Sequence, residues 1–434
     1  MAPSYKISAS SWLVTLLLLV LLFSGFITNF LSFTEISLST IVFDLLIFLL
    51  LLHTGLTLYE LTLQAGKMNI SYVFFAAFWF FLFVLTLIKT ITLDVNPLLE
   101  RLFGIRNNLV YAASILYVPL LFKKERQIGR SIRLLYLAGV LLCLFAIFQF
   151  IFSFKLPISL LVLRGEVTFS FVEFSIVRPT ALLGNTIIFA SFTIILFCIL
   201  LPKYLYQKRK IDLFYIGITL LANVLTYTRA ALFGAILSGA IIYVLCYGRF
   251  TLNYLIKLIL GFSLLVLALV GIGNFFKDSF LVRRVTGVEE GTIGSTDEHF
   301  RQIFNSIDYL KEHVVAGAGI GTQGQSGDPE KKIVTDGYWF QLFLENGLPL
   351  GSLYFLFFVI SVAYSLLLFF RYEDQRLKQL CLTFIGLSAY FFAASLLNSA
   401  LSSRVNFFLY WLLFSFLLAQ QIIVKNNTNA LHRN

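Results

Sequence analysis

Three arginines in an otherwise lipid-like chain are the residues whose type and placement can do chemistry. Arg229 lies in "LTYTRAALFGAILSGA" (225–240), after Thr226, Tyr227 and Thr228 and before the small residues Ala230, Ala231, Gly234, Ala235, Ser238 and Gly239. Small residues let helices approach closely, so a charge at this point is held inside a bundle and not in lipid. No acidic residue is near it in sequence. A guanidinium at that depth calls for an anionic partner, the plain alternative being an interfacial arginine that snorkels to water.

Arg178 is the second candidate, in "VRPTALLGNT" (177–186), where Pro179, Gly184 and Asn185 make an irregular entrance to an apolar segment that begins at Ile187. A helix N-terminus attracts anions through its dipole and its free N–H groups. Arg301 is the third. It neighbours the stripe Phe300, Ile303, Phe304, Ile307 and Leu310, which has the spacing of an amphipathic helix and is followed by a flexible "AGAGIG". Arg283 and Arg284 are weaker candidates for the same role. In "TDGYWFQLFLENGLPLG" (335–351), Asp336 opens an aromatic interfacial segment in which Gln341 and Glu345 share a helix face, and Gly347 and Pro349 break it. Each of these features also has an ordinary reading, as juxtamembrane punctuation, a solvated charge or a connecting helix.

The elements that must position these residues are membrane helices. The 434 residues are 59% hydrophobic and 17% aromatic, with 48 Phe and only 13% charged, which excludes a soluble globular domain. Apolar stretches long enough to cross a hydrocarbon core of about 30 Å recur along the whole chain. They fall near 12–32, 38–57, 71–91, 106–122, 133–153, 187–202, 211–226, 230–247, 254–275, 350–370, 379–397 and 405–424. The expected fold is an all-α polytopic membrane protein of about twelve spans, one integral domain over 1–434, its first span a retained helix.

The short basic connections "KKERQIGRSIR" (123–133), "KYLYQKRK" (203–210) and "RYEDQRLK" (371–378) fall on one side and assign it, with both termini, to the cytoplasm. The opposite side receives 92–105, 154–186, the turn at Arg229, 276–336 and 398–404. Segment 276–336, with 7 Lys/Arg and 10 Asp/Glu, is a large external loop of short amphipathic helices before the last three spans. The net charge of +11 is therefore an insertion signal and gives no reason to invoke nucleic acid. The four cysteines lie apart in apolar spans, and His299 and His313 are isolated, so neither a disulfide framework nor a metal site is expected.

In this order, "RPTALLGN", "TYTRAALFG", "FRQIFNS…AGAGIGT" and "DGYWFQLFLENGLPLG" resemble the O-antigen ligase and polymerase superfamily, integral-membrane enzymes that join lipid-linked glycans outside the bacterial inner membrane. The resemblance implies a multi-pass, GT-C-like bundle and a metal- and cofactor-independent, inverting transfer of glycan from a polyprenyl-pyrophosphate donor. Arg178, Arg229 and Arg301 would grip the pyrophosphate, for which the planar guanidinium fork is suited. Tyr338, Glu345, Arg283 and Arg284 would be weaker substrate contacts. Ligases of the superfamily carry a His-Asn pair where this chain has Asp336-Gly337-Tyr338, so Asp336 would serve as the base. That departure favours a polymerase of lipid-linked repeat units over a ligase acting on a lipid A-core acceptor. A flippase of the same lipid-linked sugars is a third reading, without the internal repeat transporters tend to show. Membrane lipid, a chain-length regulator and a flippase are the expected partners.

Overall fold

A computed structural model describes residues 9–24, 26–27, 38–63, 68–152, 155–156, 160, 178–248, 290–323, 332–333 and 337–431. Among the described residues every regular element is helical. In chain order these are α1 (Ala9–Leu22), α2 (Leu38–Leu63), α3 (Ile70–Thr92), α4 (Leu98–Asn108), α5 (Ser114–Leu121) and α6 (Glu125–Phe152). Then come α7 (Thr186–Gln207), α8 (Lys210–Leu225), α9 (Arg229–Tyr247), α10 (Glu290–Glu312), α11 (Tyr338–Arg371), α12 (Gln375–Ala394) and α13 (Arg404–Leu431).

Eight of the described helices are long and apolar enough to cross a membrane: α2, α3, α6, α7, α9, α11, α12 and α13. Helices α1 and α8 are shorter, at 14 and 16 residues. The span expected over 254–275 lies outside the described residues. The bundle is built around α13: 89% of its most apolar window is buried, against 28% for α2 and α3. Helix α13 packs on α5, α7 and α12, and α9 packs on α12 and α7. The outer helices turn Phe48, Leu52, Phe74 and Phe80 outward, where lipid offers them the apolar contact that water would not.

Helix starts are capped where free N–H groups would otherwise be stranded. Asn69 accepts from Ser71 N, Asn185 from Ile187 N and Ile188 N, and Asp374 from Leu377 N. Two expected boundaries change. The single span over 106–122 is broken: α4 ends at Asn108 with Leu109 as its C-cap, a 3-10 turn follows over Val110–Ala113, and only then does α5 begin. At the break the Leu109 carbonyl accepts from Ala112 N in the 3-10 turn at 2.9 Å and from Trp79 Nε1 at 3.2 Å, so it is not left bare in the bundle. Helix α11 starts at Tyr338, twelve positions before the span expected from 350, and kinks at Gly347 (φ 72°, ψ 171°). Two helices therefore meet at Gly347, and the interfacial segment is broken from the span where the sequence placed the break.

The described part of the 276–336 segment holds the helix α10, which packs on α11; the rest of the expected loop lies outside the described residues. Its apolar stripe does not all face the bundle, since Leu310 is buried while Phe304 and Ile307 are exposed.

Candidate functional site

The face opposite the basic connections gathers the 178–185 loop, the turn between α8 and α9, the segment after α10 and the residues around Tyr338. Three built polar arrangements lie there.

The first centres on Arg178, which is 5% exposed. Its Nε donates to Thr226 O at 2.8 Å and its Nη2 to Thr228 Oγ1 at 2.9 Å. The sequence places Arg178 and Arg229 in one diphosphate grip although they are distant in the chain; the structure joins Arg178 to the turn that carries Arg229. The turn is tight, with Tyr227 in the left-handed region (φ 51°) and Thr226 Oγ1 donating to Asn223 O. Burial pushes the Tyr227 phenol up from its ordinary pKa. Behind the turn Asn223 Nδ2 donates to Thr193 Oγ1 at 2.7 Å. The loop bearing Arg178 is held in turn by Gln149 Nε2, which donates to Ala181 O.

Arg229 is the first residue of α9. It is half-buried and makes no hydrogen bond or ion pair among the described residues. The side chain of Thr228, the residue before it, does not cap the helix. A cation at a helix N-terminus sits on the positive end of the dipole, so Arg229 adds its charge to that of the uncapped start of α9. The small-residue series acts as expected. Gly234 and Ser238 are buried, Ser238 Oγ donates to Gly386 O at 2.8 Å, and a Cβ on Gly234 would lie 2.1 Å from Tyr390 Cδ2. That packing against α12 fixes where α9 begins.

The second arrangement includes Glu345, which the sequence singled out as a weaker substrate contact and which the structure buries in a polar network. Lys89 and Asp94 form a buried ion pair, with side chains 6% and 1% exposed. Lys89 Nζ also donates to Glu345 O at 2.9 Å, and Asp94 Oδ2 accepts from Ile320 N. Glu345 accepts from Asn108 Nδ2 and from Gln323 N, each at 3.0 Å, so it ties α4 and the post-α10 segment to α11. The "AGAGIG" stretch is therefore a packed strap and not a flexible closure. Its reason is the α11 kink: the break at Gly347 frees backbone groups, and Ala318 N donates to Leu344 O while Leu348 N donates to Val314 O. A Cβ at Gly104 would lie 2.5 Å from Gly321 N, so the strap can lie against α4 only because both positions are glycine. A third pairing on this face sets Arg106 against Asp44 at 3.2 Å, with Arg404 donating to Thr40 Oγ1.

Of the other residues singled out in sequence, Arg301 is exposed on α10. Tyr338 is buried, packed against Trp339 and Phe358, and its N–H donates to Asn398 O. Asp336, Arg283 and Arg284 lie outside the described residues. Asn108 was missed because its partner, Glu345, comes from a distant helix; Lys89 and Asp94 are only five positions apart, but the contacts that bury the pair, to Glu345 O and Ile320 N, also come from far along the chain. The hint was Lys89 itself, a full charge inside an apolar run.

Fold and site define a polytopic all-helical membrane protein with a preformed, arginine-bearing turn on the face away from its basic loops. Residues 214–355, which carry Arg229, Arg301 and the kinked α11, match the O-antigen ligase family. The chain is 30% identical over 189 residues to an O-antigen polymerase of Salmonella muenchen, which covers 41% of this chain and 45% of that protein. The match therefore spans less than half of either chain. Both findings support the O-antigen ligase and polymerase superfamily that the motifs resembled.

Proposed function

We propose that this chain is a polymerase of lipid-linked oligosaccharide repeat units in a bacterial inner membrane, drawing on a polyprenyl-pyrophosphate donor. The observation that carries the proposal is Arg229, half-buried and uncompensated among the described residues at an uncapped helix start, on a turn held by buried Arg178. A diphosphate supplies the missing anion. Arg178 positions the turn and adds a second positive charge behind it; Arg301, on the exposed side of α10, completes the grip from outside.

In the reaction an acceptor-sugar hydroxyl attacks the anomeric carbon of the donor. The bond from that carbon to the diphosphate oxygen breaks, and its electron pair leaves with the polyprenyl diphosphate. The hydroxyl proton passes to the Asp336 carboxylate. Positive groups fixed before the reaction stabilise charge as it develops on the leaving group, without a reorganisation cost. Attack from the side opposite the leaving group inverts the anomeric centre. Gly337 follows Asp336, and next to it Tyr338 N and Trp339 N bond to Asn398 O and Ser395 O at the α12–α13 connection. Helix α12 ends there and α9 starts beside it on the same face, which supports a base and a diphosphate grip sharing one site.

The test is chain growth from lipid-linked repeat units followed by gel, with Arg229→Ala and Arg229→Lys. Loss of about a hundredfold or more with alanine, and little recovery with lysine, is the expected result. Normal polymer from both variants, or a retained anomeric configuration in the product, overturns the reading. A ligase is the second reading, favoured by the family description over residues 214–355. It predicts transfer to a lipid A-core acceptor and no lengthening of lipid-linked repeats when that acceptor is withheld.

A further inference from the structure

On the opposite face, among the basic connections, helices α6, α7, α12 and α13 enclose a cavity of about 720 Å³. Six cations line it: Arg126, Arg130, Arg133, Lys203, Arg209 and Arg376, with one carboxylate, Glu125. Glu125 is already taken by Arg376 at 2.6 Å, and Lys203 pairs with Asp212. Arg126, Arg130 and Arg133 are exposed along one stripe of α6, spaced four and three apart.

An insertion signal needs basic residues only somewhere in the loop, not converging on a concave site. The cavity is also too large for a lone phosphate, and its inner wall includes Ile132, Ile199 and Leu413. Cationic rim and apolar floor match a phosphate headgroup with the first methylenes of its chains, and a basic pocket between membrane helices on the cytoplasmic side is a known way to hold such a group.

We propose that this cavity is a binding site for the phosphate headgroup of an anionic phospholipid from the leaflet it faces. The site is separate from the arginine turn and does not rest on the glycan reading. The probes are phosphatidylglycerol and cardiolipin, with phosphatidylcholine as the uncharged reference and inorganic pyrophosphate as the soluble phosphate source. Retention is followed by native mass spectrometry of the full chain in detergent.

The test variant is Arg133→Gln/Arg209→Gln, and the control is Lys123→Gln/Lys124→Gln, two exposed lysines of the same connection that do not line the cavity. Both are first checked for insertion and for an unchanged melt in lipid-free detergent. Anionic lipid retained over phosphatidylcholine, weakened roughly 25-fold in the test variant but little in the control, is the expected result. Equal weakening in both variants, or binding of pyrophosphate with no preference for anionic lipid, overturns it.

Discussion

Arg178 donates to the hydroxyl of Thr228 at 2.9 Å, reaching across 50 positions to the residue that immediately precedes Arg229. Together with the bond to Thr226 O, this makes the guanidinium a two-pronged brace. The two arginines therefore differ in their contacts: Arg178 is bonded into the turn, whereas Arg229 makes no hydrogen bond or ion pair among the described residues and is the one the proposed function gives to the diphosphate.

That division predicts separable phenotypes. Thr228→Val keeps the shape of the side chain but leaves a buried guanidinium N–H without its acceptor, at a cost of about 1–3 kcal/mol. Arg178→Lys replaces the planar, pre-organised fork with a strongly hydrated point charge on a flexible stem and has a similar cost. Both variants should melt earlier in detergent and also lose chain growth. Arg229→Ala should lose chain growth with its melt almost unchanged, because that side chain has no partner among the described residues to lose. A clear drop in the melt of Arg229→Ala would make it a structural residue.

Composition and charge pattern made the membrane bundle legible because each span answers to one local rule, enough apolar length. The 226–228 turn and the break at Gly347 were legible for the same reason, as an abrupt stop and a glycine–proline pair. The strap was not. A glycine-rich stretch reads as flexible until the partner that needs close backbone approach is known, and here that partner is α4 together with a kink opened far along the chain. Lys89, Asp94 and Asn108 were hidden likewise, since a buried polar network is a property of several helices at once. The break at Leu109 was obscured because its 3-10 turn is as apolar as the helix it interrupts.

Gly347 should be intolerant of any side chain. Its φ of 72° with ψ of 171° is a region open essentially to glycine, and a Cβ there would lie 2.2 Å from Val315 O. Gly347→Ala should cost about 1–3 kcal/mol in backbone strain before the clash is counted. Hydrogen exchange localises the damage: the Ala318 and Leu348 amides, which bond across the kink, should exchange faster while amides in the middle of α13 keep their protection. Uniform loss across the chain would mean that the strap is not a local unit.

The Lys89–Asp94 pair predicts non-additivity. Lys89→Met leaves the Asp94 carboxylate buried and without its cation, which typically costs about 3–5 kcal/mol. Replacing both, as Lys89→Met/Asp94→Leu, removes the stranded charge and should recover part of that loss, although Ile320 N then lacks its acceptor. The melt of the double variant should lie between those of Lys89→Met and the parent. A double variant worse than the sum of the single ones would show that the network is held by its hydrogen bonds to Ile320 and Glu345 more than by the ion pair.

The last prediction concerns how the scaffold sets the arginine. Gly234 is five residues after Arg229 on α9, and the Tyr390 ring fills the space where its side chain would be. Tyr390 cannot swing away freely, because its hydroxyl shares a hydrogen bond with Ser191 at 2.6 Å. Gly234→Ala must therefore push α9 away from α12 or break that bond, with an overpacking cost of about 1–3 kcal/mol. Gly239, further along α9, is an internal control: its added Cβ would come only within 3.3 Å of Phe197 Cζ, a contact that a small ring shift relieves. Gly234→Ala should thus lower both the melt and chain growth, while Gly239→Ala leaves both near the parent. If Gly234→Ala lowers the melt yet leaves chain growth intact, the position of Arg229 does not depend on the α9–α12 contact.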